Sequence, residues 1–396
     1  MTALTKLTLA TALAALAACA SPAGGPTAPA PATLPTPRPV PSPALVVATA
    51  SRSRAVKPTP AQLSVYAIGA DGRLTLAAPP QPVGALDGVY AASYTGASGL
   101  YRQVVSETPY ALGGAVTLVT YALDPATGVF TRLGASDLPR RSTMTAFHPS
   151  GRFLYVGAAA QQIDGYELDP RNGALLRALP GAPFSWDAPM GIFDLHFAAS
   201  GLFAWGHGRI PDGYHSNRGF VVSFAVDPGT GALSTSDETP MYDQQSILAV
   251  STREDTAYLV DRTVLRPGAM TWRRFSVDGA GALDQEEQWD GRYAAGLHFS
   301  ASDRFLLSIG DGDRLALLER GGGRPVQRTQ IDIPRDSGSD HRRALFQVGD
   351  FLYLGGDRTL GVVHLDEAAQ TLSLVQEVTP GEDLEILSVA LVPPAP

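Results

Sequence analysis

The 396-residue chain has one cysteine, few charged residues and no long apolar run beyond its N-terminal segment. A single cysteine excludes a disulfide framework and any zinc site built on cysteines. The net charge of −8 argues against a protein that binds nucleic acid. After the N-terminal segment, no apolar run reaches the roughly 18 residues that a membrane-spanning helix needs. The composition thus excludes several classes of protein without naming a function.

Three catalytic motifs are also missing from the chain. There is no Gly-x-Ser-x-Gly nucleophile turn, no glycine loop that would bind phosphate and no His-Glu-x-x-His. Their absence argues against serine hydrolases of that type, nucleotide-binding enzymes and zinc proteases, and we expect neither a cofactor nor a metal. The absence of these motifs does not exclude a catalytic site assembled from residues that are far apart in the chain.

The N-terminal residues have the pattern of an export signal. Lys6 supplies a basic start, and the apolar run Leu7 to Ala18 is too short to span a bilayer. The run ends in Leu16-Ala17-Ala18-Cys19, which resembles the bacterial lipobox and implies a signal peptide over residues 1–18 and lipidation of Cys19. An ordinary signal peptide with a chance cysteine is the alternative. Because Ala20 rather than Asp follows Cys19, the resemblance implies the periplasmic side of the outer membrane.

Residues 19–43 are predicted to be a tether between the lipid anchor and a folded domain over residues 44–396. Nine of residues 22–43 are proline, which favours an extended, semi-rigid polyproline II spacer. No acidic residue precedes Asp71, whereas the chain beyond residue 70 carries 25 Lys and Arg against 38 Asp and Glu. We expect the basic tether to lie near anionic lipid. The alternative is that its charges merely keep it solvated.

A hairpin pattern recurs through the rest of the chain. An apolar strand leads into a turn rich in Asp, Pro and Gly, and a second strand follows, as turn chemistry requires. Seven copies occur about 42 to 58 residues apart, at 65–74, 121–130, 166–175, 224–233, 275–283, 317–323 and 363–372.

A second hairpin lies between these copies and is clearest over residues 145–156. Two hairpins per period give four strands per period, which is the signature of a β-propeller blade. We therefore predict an all-β fold, a seven-bladed β-propeller. Only three strands precede the first full period, and residues 386–392 form a strand without a partner hairpin. We expect N- and C-terminal strands to close the ring in one blade, which removes exposed sheet edges.

Both hairpin patterns resemble those of the lactonase-type, 6-phosphogluconolactonase-like propellers. The matching stretches are His148 to Val156 and Asp227 to Leu233, and the resemblance covers about residues 44–392. A further match, Ser216 to Gly219, implies that Asn217 and Arg218 bind substrate, although the insertion 206–215 precedes it here. The resemblance implies a lactone hydrolase.

Histidines on predicted inner strands are the candidate proton carriers. His196 and His298 occupy matching places, each one residue before a core Phe, and Asp194 precedes His196 by two residues. In a strand that spacing places both side chains on one face, where Asp194 would orient the imidazole. Shared packing in a repeat is the alternative for all three. His148 lies in a turn and is predicted to be structural.

Two basic clusters precede predicted inner strands and so belong to one end of the central channel. Arginines at a concave mouth bind carboxylates or phosphates in a forked geometry, and solvated surface arginines are the alternative. The clusters comprise Arg140, Arg141, His341, Arg342 and Arg343.

Two functions are consistent with this sequence. One is an envelope lactonase that opens a small lactone at the channel mouth, with a lactone or sugar acid as its small-molecule partner. Arg342 or Arg343 would polarise the carbonyl, and a histidine or aspartate would activate water. The other is a non-catalytic propeller that presents a rigid face to an envelope protein or glycan. In either case we expect a monomer held to the membrane by lipid on Cys19, with no nucleic-acid partner.

Overall fold

The computed structural model divides the chain into two compact units, Met1–Thr36 and Pro37–Pro396. The predicted signal peptide, Cys19 and the tether lie outside the described residues. All described residues belong to the second unit. They are 44–51, 62–82, 93–95, 100–105, 116–124, 127–138, 144–158, 161–187, 191–209, 219–241, 247–262, 270–292, 294–310, 313–321, 323–333, 344–356, 358–381 and 384–392.

The described residues form strands and turns without a helix, and so include no helix that could cross a membrane. Their strands make antiparallel sheets, and six sheets consist of consecutive strands. We call these blades 1 to 6. Blade 1 is β5 (Ser93–Thr95), β6 (Leu100–Val105), β7 (Val116–Asp124) and β8 (Val129–Leu138). Blade 2 is β9 (Met144–Phe147), β10 (Phe153–Ala158), β11 (Gln162–Leu168), β12 (Leu175–Ala178) and the short β13 (Phe184–Ser185). Blade 3 is β14 (Gly191–Phe197), β15 (Phe203–Arg209), β16 (Gly219–Val226) and β17 (Leu233–Met241).

The next three blades repeat the same four-strand order. Blade 4 is β18 (Ile247–Val250), β19 (Thr256–Arg262), β20 (Met270–Val277) and β21 (Leu283–Gly291). Blade 5 is β22 (Gly296–Phe299), β23 (Phe305–Gly310), β24 (Arg314–Glu319) and β25 (Val326–Asp332). Blade 6 is β26 (Ala344–Val348), β27 (Phe351–Gly355), β28 (Leu360–Asp366) and β29 (Thr371–Val378).

One further sheet, the terminal sheet, joins the two ends of the second unit. Its strands are β1 (Ala44–Ser51), β2 (Gln62–Ile68), β3 (Leu74–Leu76), β4 (Gln81–Pro82) and β30 (Leu384–Val392), in the order β3-β2-β1-β30 with β4 also on β2. The predicted β-propeller is confirmed, with six blades found where the sequence predicted seven. The terminal sheet is not among these six, because its strands come from both ends of the chain rather than from one repeat.

The hairpin turns follow the chemistry expected from the sequence. In the β16–β17 turn, the amides of Gly229 and Thr230 donate to the Asp227 carboxylate at 2.8 and 2.9 Å. These bonds stabilise the charged form, and they lower the pKa of Asp227 from its usual value. Gly231 follows with a φ of 74° and returns the chain to a strand. Asp and Gly at these places therefore fix the turn.

The core lies between the faces of neighbouring sheets. Phe153 and Tyr155 of blade 2 pack in one buried cluster with Ile192 and Phe224 of blade 3. Equivalent clusters join blade 3 to blade 4, blade 5 to blade 6, and blade 6 to the terminal sheet. Because each strand alternates its side chains between two faces, a sheet can pack against the neighbours on both of its sides.

Candidate functional site

A pair of histidines on blade 3 includes one residue that the sequence singled out and one that it did not. The rings of His196 on β14 and His207 on β15 are stacked, with centroids 5.4 Å apart and planes 6° from parallel. Their Nε2 atoms lie 3.4 Å apart. His196 is exposed and His207 is half-buried, so the pair is accessible from solvent. The paired imidazoles form a candidate general base.

A bulge in β14 decides which residues accompany the pair. The pairing of β14 with β15 shifts between Ile192 and Asp194, so Ile192 and Leu195 both pack against blade 2. Asp194 is then the register partner of His207. The backbone thus places Asp194 opposite His207, whereas the sequence predicted that Asp194 would orient His196. Adjacency along the chain could not show this pairing, because it depends on the register between strands.

His298 does not join this pair. It lies on β22 of blade 5, and blade 4 separates that strand from β14. Burial lowers the pKa of His298 from its usual value, because it disfavours the charged imidazolium. His196 and His298 therefore occupy equivalent positions on different blades, in two different surroundings.

His148 has the structural role that the sequence predicted. Its Nε2 lies 2.8 Å from the carbonyl oxygen of Gly201, and its Nδ1 accepts the Ser150 amide at 3.1 Å. The ring is buried and meets Phe153 and Phe197 edge-on. This histidine joins blade 2 to blade 3.

The predicted binding residues lie outside the described residues. They are Arg140, Arg141, Asn217, Arg218, His341, Arg342 and Arg343. Their assignment stays a prediction. Among the described residues, no group of three or more His, Cys, Asp or Glu is arranged to hold a metal ion.

A cavity of about 660 Å³ between blades 4 and 5 was not predicted from the sequence. Trp272 and Trp289 line one side, and their rings stack at 6.2 Å with planes 25° apart. Arg292, Arg314 and Arg324 also line it. These residues come from distant parts of the chain, and no motif connects them.

The comparisons with known proteins establish the fold. No protein-family model and no curated protein matches the chain. Among solved structures, a putative 6-phosphogluconolactonase from Bacteroides fragilis is 12% identical, with a TM-score of 0.62, and the match covers 89% of this chain and 98% of that one. A periplasmic gluconolactonase from Pseudomonas aeruginosa is 16% identical, with a TM-score of 0.62 and coverage of 88% and 99%. A hypothetical selenium-binding protein from Sulfolobus tokodaii is 9% identical, with a TM-score of 0.60 and coverage of 90% and 97%. At such identities the likeness shows a shared β-propeller fold, as the hairpin motifs indicated.

Proposed function

We propose that the chain is an extracytoplasmic lactonase-type propeller that hydrolyses a small lactone. The observation that carries the proposal is the solvent-accessible His196–His207 pair, with Nε2 atoms 3.4 Å apart. The similarity in fold to proteins described as gluconolactonases adds support. Because similar folds host unrelated activities, the residues of the site matter more than the fold.

The chemistry requires one base and one polarising group. A neutral imidazole of the pair takes a proton from water as the water oxygen bonds to the lactone carbonyl carbon. The ring C–O bond then breaks, and the imidazolium returns the proton to the leaving oxygen. The product is a hydroxy acid, and the net change is the addition of one water. Arg342 or Arg343 remains the proposed group that polarises the carbonyl.

Purified protein and a panel of sugar and aliphatic lactones test this function. We expect hydrolysis of at least one lactone, measured as acid release, and a fall of about 100-fold or more in kcat/KM for His207→Gln. His364→Gln, on β28 of blade 6, is the matched control and should keep full activity. Absence of hydrolysis across the panel, or an unchanged rate in the His207 variant, would overturn the proposal.

We also propose that lipid on Cys19 holds the propeller at the periplasmic side of the outer membrane, with the proline-rich segment as spacer. A thioether-linked lipid gains about 0.8 kcal/mol per buried CH₂ group, which supports stable anchoring when several chains are attached. In a Gram-negative host, Cys19→Ser should move the protein from the membrane fraction to the soluble periplasmic fraction. A variant that stays in the membrane fraction would contradict lipidation at Cys19.

We further propose that the terminal sheet serves as the seventh blade and closes the ring. The Gln376 side chain of blade 6 bonds to both backbone groups of Leu74 in the terminal sheet. On the other side, the Gln81 side chain of the terminal sheet bonds to the Gly128 carbonyl and the Phe130 amide of blade 1. Bonds to both neighbours support the role of a blade.

A non-catalytic propeller that binds an envelope protein or glycan is the second candidate. It is favoured by the placement of His196 and His298 on different blades, 3 and 5. Under this alternative the lactone panel gives no hydrolysis, while crosslinking in cells captures one reproducible partner.

A further inference from the structure

The cavity between blades 4 and 5 is lined by β20 and β21 of blade 4 and by β23, β24 and β25 of blade 5. Trp272 and Trp289 come from β20 and β21, and Arg314 and Ala316 come from β24. The His196–His207 pair lies on blade 3, so the two sites share no element. A volume of about 660 Å³ lies within the range of ligand pockets.

Small residues leave the cavity open and leave room for the Trp272 ring. A Cβ atom on Gly291 would lie 2.4 Å from the Trp272 ring, so only glycine permits this ring position. Trp272 Nε1 donates to the Arg292 carbonyl at 3.0 Å, which fixes the indole. Gly310 and Ala316 line the cavity from blade 5. Trp272 is 5% exposed, so the half-buried Trp289, which stacks on it, provides the accessible aromatic surface.

The lining is basic in an acidic protein. Among the described residues, the lining includes Arg292, Arg314 and Arg324 and no Asp or Glu. Arg314 lies 3.4 Å from Asp332, a carboxylate that is 88% exposed, so this contact is worth little. Within the described part of the chain, Arg292 and Arg324 have no carboxylate within ion-pair distance. The cavity therefore attracts anions although the whole chain carries a net charge of −8.

The basic groups lie near both ends of β24. Arg292 follows β21 and Arg314 begins β24, whereas Arg324 lies in the turn between β24 and β25. A six-residue strand such as β24 spans about 20 Å. The site thus fits an elongated ligand with more than one negative charge.

We propose that this cavity binds an acidic oligosaccharide, a chain of sugar rings that carry carboxylates. The half-buried Trp289 offers a flat ring to the apolar face of a sugar, and the guanidinium groups pair with carboxylates. The side-chain amides of Gln327 and Gln330, which also line the cavity, offer donors and acceptors to hydroxyl groups. The site adds a saccharide-binding function that is independent of lactone hydrolysis.

Titration calorimetry of the full chain with tetra-galacturonic acid tests the proposal. We expect measurable binding, weakened about tenfold or more when the carboxylates are methyl-esterified or when Arg324 is replaced by Gln. Binding should also quench tryptophan fluorescence and weaken as salt rises. Arg177→Gln on β12 of blade 2 is the matched control and should bind like the unchanged protein.

Several outcomes would overturn the proposal. They are equal binding of the acid and its methyl ester, unchanged binding by Arg324→Gln, and no binding at all. Stronger binding of a poly-glutamate peptide than of the oligosaccharide would assign the cavity to a protein partner instead. Trp289→Ala should also abolish binding. If that variant fails to fold, Arg324→Gln still tests the proposal, because Arg324 is exposed and its replacement should not disturb the fold. His207→Gln should leave saccharide binding intact, which separates this site from the proposed hydrolytic one.

Discussion

The hydroxyl of Tyr155 in blade 2 donates a 2.7 Å hydrogen bond to the main-chain carbonyl of Gly231 in the β16–β17 turn of blade 3. Trp205 of blade 3 makes the same bond to Gly281 of blade 4, at 2.8 Å. Tyr353 of blade 6 repeats it with Gly72 of the terminal sheet, at 2.9 Å. A buried aromatic donor thus joins one sheet to the next at three boundaries.

Removing this donor should weaken the boundary between blades. Tyr155→Phe leaves the Gly231 carbonyl buried without its donor, so we expect a loss of about 1–3 kcal/mol in the free energy of unfolding. Tyr353→Phe should cost a similar amount. Tyr121→Phe, on the half-buried surface of blade 1, is the control and should change stability by less than about 0.5 kcal/mol. Urea unfolding measures all three, and equal midpoints would show that the bond contributes nothing.

His148 should make the fold sensitive to mild acid. Burial, opposed by the bond to Gly201, lowers the pKa of His148 from its usual value. The unfolded chain binds this proton near the ordinary pKa of about 6.5, while the folded protein binds it only at lower pH. Stability is therefore lost as pH falls through about 6.5, and the loss stops below the folded pKa. His148→Gln should reduce the difference in urea midpoint between pH of about 7.5 and about 5.5. An identical difference in the variant would exclude this histidine as the cause.

A buried ion pair between Arg273 and Asp261 lies inside blade 4 and reaches blade 3. Arg273 is 2% exposed and also donates to the Pro240 carbonyl at 2.8 Å. Arg273→Met removes the cation that compensates buried Asp261, so we expect a loss of about 3–5 kcal/mol. Arg177→Met breaks an exposed pair with Glu167 and should cost no more than about 1 kcal/mol. Thermal melts compare the two, and similar melting temperatures would contradict the expectation.

Deleting residues 385–396 should destabilise the protein. The deletion removes β30, whose pairing with β1 runs from Ala44 to Ser51. The freed edge of β1 would expose unpaired backbone groups, so we expect a lower melting temperature and aggregation. Deletion of residues 393–396 alone, which follow β30, is the control. If the longer deletion melts like the full chain, the terminal sheet does not depend on β30.

The repeated hairpins were predictable because their cause is local. Asp227 and Gly231 specify a turn from within five residues, and the flanking apolar residues alternate with a period of two. All seven predicted hairpins of the first type join adjacent strands of one sheet. The strands at the two chain ends were predicted to share one sheet, and β30 pairs with β1 in that sheet.

The candidate sites were less predictable because their contacts are not local. His207 meets His196 only through the register of β14 and β15, and the bulge after Ile192 sets that register. Trp272 and Trp289 face Arg314 and Arg324 only because blade 4 packs against blade 5. Nothing in the spacing of these residues signals a shared cavity.

The sequence alone determined that this protein is a ring of four-stranded repeats, since turn chemistry and alternation act over a few residues. The tertiary structure decided how the sheet at the chain ends is assembled and which side chains meet at each boundary. These contacts depend on strand register and on packing between sheets, which bring together residues that are far apart in the chain.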